Sequence, residues 1–185
     1  MLVYNDAALQ RNEKLLDEYR RALHSILKDK DPNVLIYVDE THKDRNASRR
    51  RRAWGYRGEK LSLRRWFNQT SRYTLIAAAD IAGFVFEACQ TYYRTPTAEE
   101  TAEGACGTVD RATFEKWVKE KLVPVLGSWE KKESRLIVIM DNATTHMSEE
   151  VERLIEEAGT YLLYVSPYSP DLNPIEQMLS SYKCF

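Results

Sequence analysis

Three acidic residues occupy positions from which they could act together. Asp39 follows the apolar run Val34 to Val38, Asp141 follows Leu136 to Met140, and Glu176 comes just after Asn173-Pro174. Carboxylates gathered at one sheet edge repel one another, and a hard divalent cation relieves that repulsion. Mg²⁺ takes oxygen ligands and bridges substrate phosphates. Two such ions roughly 4 Å apart activate an attacking hydroxyl and stabilise a leaving oxygen in an in-line phosphoryl transfer. Each acid taken singly also has an ordinary structural role. Strand-end Asp residues make turns or caps, and Glu176, three residues after Asn173, is placed as the N3 partner of a capping box. Glu40 competes with Asp39, because successive strand residues point to opposite faces and only one of the two faces a given site. The ensemble, rather than any one member, points to metal-dependent phosphate chemistry.

A substrate clue lies between the first two acids. The segment 43–65 holds ten Lys or Arg against Asp44 and Glu59, a local net charge of +8, and interleaves Trp54, Tyr56, Trp66 and Phe67 with its cations. Cations neutralise backbone phosphates, and aromatic rings stack on exposed bases. Arg49, Arg50, Arg51, Arg52, Trp54, Arg57 and Lys60 are therefore the candidate DNA-contacting residues. An isolated run of this kind is more often a solvated edge or a localisation signal. Its position beside a carboxylate site that needs a phosphate substrate favours DNA.

The elements that must position these residues are legible in the hydropathy pattern. Leu15, Leu16, Tyr19, Leu23, Ile26 and Leu27 recur at helical spacing, with Asp6 as N-cap and Asp31-Pro32 as stop. Val34 to Val38 reads as a buried strand ending at Asp39-Glu40. Tyr73 to Ala79 and Phe84 to Cys89 flank a turn-like Asp80-Ile81-Ala82-Gly83 and read as a hairpin, and the polar tract 95–107 reads as a loop. Phe114, Trp117, Val118 and Leu122 mark a helix that Pro124 ends or kinks. Leu136 to Met140 is a second buried strand. Ser148 caps a helix whose apolar face is Val151, Leu154, Ile155 and Ala158, with Gly159 just past its end. Tyr161 to Val165 is a third strand, and Asn173-Pro174 supplies the N-cap and N1 of a last helix. The order implies one mixed α/β sheet, with sites at the carboxyl ends of its strands.

Composition bounds the alternatives. The 185 residues carry 27 Lys plus Arg against 28 Asp plus Glu, and 43% are hydrophobic, enough for one ordinary core. The net charge of -1 argues against nucleic acid only until it is divided into the +8 segment and a remainder of -9. With two divalent ions bound the formal charge becomes +3. The longest apolar runs are strand-length, so nothing reads as spanning a membrane. No secretory signal is visible. Cys89, Cys106 and Cys184 are widely spaced and odd in number, which points to incidental thiols in a reducing compartment.

Three strings resemble one family. Val38-Asp39-Glu40-Thr41, Met140-Asp141-Asn142-Ala143-Thr144-Thr145-His146 and Tyr168-Ser169-Pro170-Asp171-Leu172-Asn173-Pro174-Ile175-Glu176 are similar to the three motifs of DDE transposases of the mariner superfamily and their bacterial insertion-sequence relatives. The 34 residues between Asp141 and Glu176 match the family's spacing. Trp54-Gly55-Tyr56-Arg57-Gly58 resembles its second-strand motif. The resemblance implies a ribonuclease H-like mixed sheet flanked by helices, with Asp39, Asp141 and Glu176 as catalytic residues holding two Mg²⁺ or Mn²⁺ ions. It implies nicking of double-stranded DNA at transposon ends, attack of the freed 3′-hydroxyl on target DNA, and a homodimer. Asn142 and His146 fall at family motif positions and receive supporting or phosphate-contacting roles. For His146 a helix-entry residue satisfied by local hydrogen bonds is the competing reading.

The departures from the family pattern set further expectations. Residues 1–32 read as a helix left from the linker to a missing helix-turn-helix module, and 33–185 as a catalytic domain clipped at its C-terminus. Leu179 stands where the family tends to place Trp. A truncated or domesticated relic that binds DNA without transposing is therefore the alternative. A ribonuclease acting on RNA-DNA hybrids ranks last, because the SPDLNPIE string belongs to the transposases. The expected location is the nucleus in a eukaryote and the cytoplasm otherwise.

Overall fold

The computed structural model describes residues 12–28, 30–44, 58, 72–94, 109–129 and 133–184. The segments 45–57 and 59–71, Asp6 and the tract 95–107 lie outside the described residues. So do the candidate DNA contacts Arg49, Arg50, Arg51, Arg52, Trp54, Arg57 and Lys60.

Helix α1 spans Glu13–Leu27, and Asn12 caps it by accepting from the backbone N–H groups of Lys14 and Leu15. Strand β1 is Leu35–Asp44, β2 Arg72–Asp80, β3 Gly83–Phe84 and β4 Gln90–Arg94. Helix α2, Arg111–Trp117, continues into a wide turn over Val118–Leu122 and a tight one at Val123–Val125, where Pro124 ends the run. Then come β5 at Ile137–Met140, α3 at Glu149–Glu157, β6 at Tyr161–Tyr164 and α4 at Ile175–Cys184. The sheet order is β3-β2-β1-β5-β6, with β4 also pairing β2. β1 is antiparallel to β2 and parallel to β5, and β5 is parallel to β6.

Two sequence expectations are corrected. The first strand does not stop at Asp39-Glu40. It pairs with β5 only over Leu35 to Tyr37, then runs on beside β2 as far as Asp44. The antiparallel partner supplies hydrogen bonds after β5 has ended, so Asp39 lies within a strand, beside the end of its neighbour. The hairpin's second arm is also broken. Phe84 pairs with Ala79, a tight turn occupies Phe86–Ala88, and pairing resumes only at Gln90. The turn itself is as read: Asp80 accepts from the Ala82 N–H at 2.8 Å, and Gly83 adopts φ +129°, which a side chain would disfavour.

The sheet is covered on both faces. On one, Ile36, Val38, Ile76, Ala78, Val138 and Met140 pack against Phe114 and Trp117 of α2 and Val151 and Ile155 of α3. Trp117 is 1% exposed, and its indole N–H is satisfied by Ala88 O at 3.2 Å. On the other face α1 covers Leu35, Ile137 and Ile139 with Tyr19, while Ile175 and Leu179 of α4 meet Ala77 and Ala79. β5 is buried throughout, which is why it reads as an unbroken apolar run. Arg135 clamps its entry by donating from Nε and Nη2 to Asp80 Oδ2, both at 2.9 Å. Helix α3 is capped as expected, Ser148 Oγ accepting from Val151 N at 3.2 Å, with Gly159 at φ +77° beyond its end.

Candidate active site

The pairing register decides which of two adjacent acids faces the site. Asp39 lies opposite Ala77, on the face that α4 covers, and Glu40 lies opposite Ile76, on the face of α2 and α3. Asp39 therefore shares a face with the helix that bears Glu176. Glu40 turns the other way, with Oε1 3.5 Å from His42 Nε2.

Asp39 is only 6% exposed. Its Oδ1 accepts from the Glu40 backbone N–H at 2.7 Å. Burial, then the negative charge of Glu176, push its carboxyl up to about 7, with Asp141 adding to the rise and that hydrogen bond and His146 opposing it. The charges of both other acids thus reach Asp39. Asp141 follows the last residue of β5 and accepts from the Ala143 N–H at 3.2 Å, an Asx-type turn that starts its loop.

The Asp141 loop is held from three sides. His146 Nδ1 lies 2.5 Å from Asp141 Oδ1, although the Asp141 side chain is half exposed and the imidazole is buried. Burial raises the Asp141 carboxyl, but the hydrogen bond and charge of His146 outweigh it and hold the group below its ordinary value. Burial lowers the imidazole, but the same hydrogen bond and the acids around it, Asp141, Glu40 and Asp39, leave it raised. Both shifts have the sign of an ion pair. Phe114 stacks on the His146 ring with centroids 4.3 Å apart, and Tyr164 donates its hydroxyl to His146 O at 3.3 Å. Arg111 Nη2 donates to Thr144 O at 3.0 Å, and Asn142 Nδ2 donates to Val165 O at 2.8 Å. Asn142 thus fastens the loop to the chain leaving β6, and His146 reaches the catalytic candidate itself.

The expected capping role of Asn173 is not what the structure shows. The residue is 3% exposed, and neither its amide oxygen nor its nitrogen has a partner, while its backbone carbonyl accepts from Glu176 N. It belongs instead to a set of buried polar atoms without hydrogen-bond partners, with Glu40 Oε2, Thr41 Oγ1, His146 Nε2 and Ser166 Oγ. These atoms come from the strand, loop and helix entry that carry the three acids. Buried unpaired polar groups are costly and rare, and of these Thr41 shares Asp39's face of β1 while Asn173 stands at the entry to the helix that bears Glu176. Sequence reading missed Thr41, Ser166 and Asn173, although all three stand inside or beside the motif strings.

The donor set fits a hard divalent cation: three carboxylates, one of them raised by burial and by the charges of the other two. Among the described residues no three acid, imidazole or thiol groups are drawn close enough to hold an ion as they stand. No helix among the described residues is long and apolar enough to cross a membrane. Cys89 is free.

A family model described as DDE superfamily endonuclease matches residues 34–184, a span that contains all three acids. Among solved structures, the chain is similar to the Mos1 transposase paired-end complex with left transposon end, at TM-score 0.66 and 19% identity over 99% of this chain and 52% of that one. The Mos1 mariner paired end complex with Mn gives TM-score 0.63 and 18% identity over 98% and 52%. The catalytic domain of Mos1 mariner transposase gives 0.58 and 16% over 99% and 76%. The chain therefore spans about half the length of the Mos1 chains in those complexes, and its fold is that of the Mos1 ribonuclease H-like catalytic domain. None of the curated proteins compared with the chain matches it.

Proposed function

Because the chain belongs to the DDE superfamily endonucleases, of the mariner transposase type, we propose that Asp39, Asp141 and Glu176 form the catalytic centre of a transposase that nicks double-stranded DNA. The freed 3′-hydroxyl is then joined to a target strand. The observation that carries this reading is the effect of Glu176 and Asp141 on the buried Asp39 carboxyl: the charges of two motif acids, from α4 and the β5 loop, reach the third on β1. Two Mg²⁺ or Mn²⁺ ions held by these acids would supply a Lewis acid for the scissile phosphate and lower the pKa of the attacking hydroxyl. The Mn in one of the similar Mos1 complexes supports that choice of metal.

The chain's own residues do the positioning. His146 holds Asp141 ionised and oriented, and Phe114 fixes the imidazole plane. Asp39 has one oxygen engaged by the Glu40 N–H, leaving the other for a ligand. Glu176 rides on α4 and reaches the sheet from outside it. Arg49, Arg50, Arg51, Arg52, Trp54, Arg57 and Lys60 are proposed to bind the DNA backbone and bases, and a homodimer is proposed to hold paired DNA ends, as the paired-end Mos1 complexes support.

Plasmid nicking in Mn²⁺ tests the reading. The wild-type chain is expected to convert supercoiled DNA to the open circle, and Asp141→Ala to leave it at background. Equal nicking by the two sinks the assignment. The second reading is a relic that binds DNA without cutting it. Salt-sensitive DNA retention with no metal-dependent nicking by the wild type selects that reading.

A further inference from the structure

Strand β6 closes one side of the sheet, and among the described residues no strand pairs with its outer edge. Tyr161 N and Val165 N donate inward, to Leu136 O just before β5 and Met140 O at its end, both at 2.9 Å. Strand alternation then directs the backbone N–H groups of Leu162 and Tyr164 outward. Natural edge strands are ordinarily blunted by a charge, a proline or a bulge. The edge Tyr-Leu-Leu-Tyr carries none of these.

The same edge opens into a cavity of about 490 Å³ whose walls include Trp129, Glu152, Glu156, Tyr161, Leu162 and Tyr164. Glu152 and Glu156 lie one helical turn apart and both are exposed. Tyr161 meets Trp129 edge-on with centroids 5.3 Å apart. Lys30 Nζ sits 4.8 Å from the centre of the Trp129 ring, so a cation already engages this aromatic wall within the chain itself. Aromatic faces beside carboxylates select organic cations, and an open strand edge selects an extended backbone.

We propose that the β6 edge is a docking site for an extended peptide segment that adds to the sheet and places an arginine or lysine side chain between the Trp129-Tyr161 wall and Glu152 and Glu156. Charge complementarity decides the class of partner. Helix α3 carries five glutamates against Arg153, which repels nucleic acid and attracts a basic chain. None of the three acids lines this cavity, and the proposal is independent of the nicking reading.

Titration of the ¹⁵N-labelled chain with an acetylated peptide alternating valine and arginine tests this. The expected result is saturable shifts at the Leu162 and Tyr164 amides and the Trp129 indole. Glu152→Gln with Glu156→Gln is expected to weaken binding about tenfold. The same peptide N-methylated at alternate backbone nitrogens is expected not to bind, since it cannot extend the sheet. Three results would overturn the proposal: equal binding of a valine-glutamate peptide, equal binding of the N-methylated peptide, or shifts that follow protein concentration rather than peptide. The last would mean that β6 pairs with a second copy of itself.

Discussion

The two faces of the sheet are built to different standards. Toward α2 and α3 the core is deep, with Phe114, Trp117, Leu122 and Ile155 all buried against β1, β2 and β5. Toward α4 it is shallow. Ile175 and Leu179 meet Ala77 and Ala79, small residues that let the helix lie close to the sheet, with Tyr37, Leu75 and Phe84 only partly buried around them. The thick face supplies stability and, through Phe114 and His146, holds Asp141. The thin face supplies Glu176. One carboxylate is thus held by an imidazole partner, and another is carried by a helix that packs on small strand residues.

Truncations on the two faces should separate stability from activity. Trp117→Ala is expected to cost about 4 kcal/mol in denaturant unfolding while leaving nicking per folded molecule nearly unchanged. Activity that falls in step with this substitution would show that the thick face also positions the acids. Next comes pH. The folded-state pKa of Asp39 is raised to about 7 from an ordinary 3.8, so the native state retains a proton that the unfolded chain releases. Stability then falls as pH rises from about 4 to about 7, by up to roughly 4 kcal/mol. Asp39→Asn is expected to raise Tm at pH 8 and to make little difference at pH 4. Millimolar Mg²⁺ is expected to recover the loss in the wild type only. A pH-independent effect of Asp39→Asn would remove Asp39 from the cluster.

Smaller effects sharpen the same contrast. Leu179→Ala on the thin face should cost about 2 kcal/mol, yet reduce nicking by more than that loss accounts for when assayed well below Tm, because Glu176 shares its helix. Ser148→Ala should cost about 1 kcal/mol through the lost α3 cap, detectable as a small Tm shift with nicking retained.

Most of the elements were legible in the chain. β5 and α3 read correctly because their patterns are local: an unbroken apolar run flanked by polar residues, and a Ser cap, an apolar stripe and a terminal glycine. β1 was read too short, because its second half is held by long-range pairing with β2 and carries no apolar run of its own. The hairpin's second arm was misread because the tight turn at Phe86–Ala88 leaves no mark in hydropathy. Asn173 looked like a cap by residue type, but burial removed it from that role.

The sequence by itself determined the family, the fold class and the spacing of the three motif acids, because those reside in residue order and short-range pattern. Only the tertiary structure decided that Asp39 rather than Glu40 shares a face with α4, since strand register assigns each side chain its side. It alone brought His146 onto Asp141. Proximity between β1, the β5 loop and α4 is created by packing, and the raised Asp39 carboxyl exists only once burial and neighbouring charge act on it together.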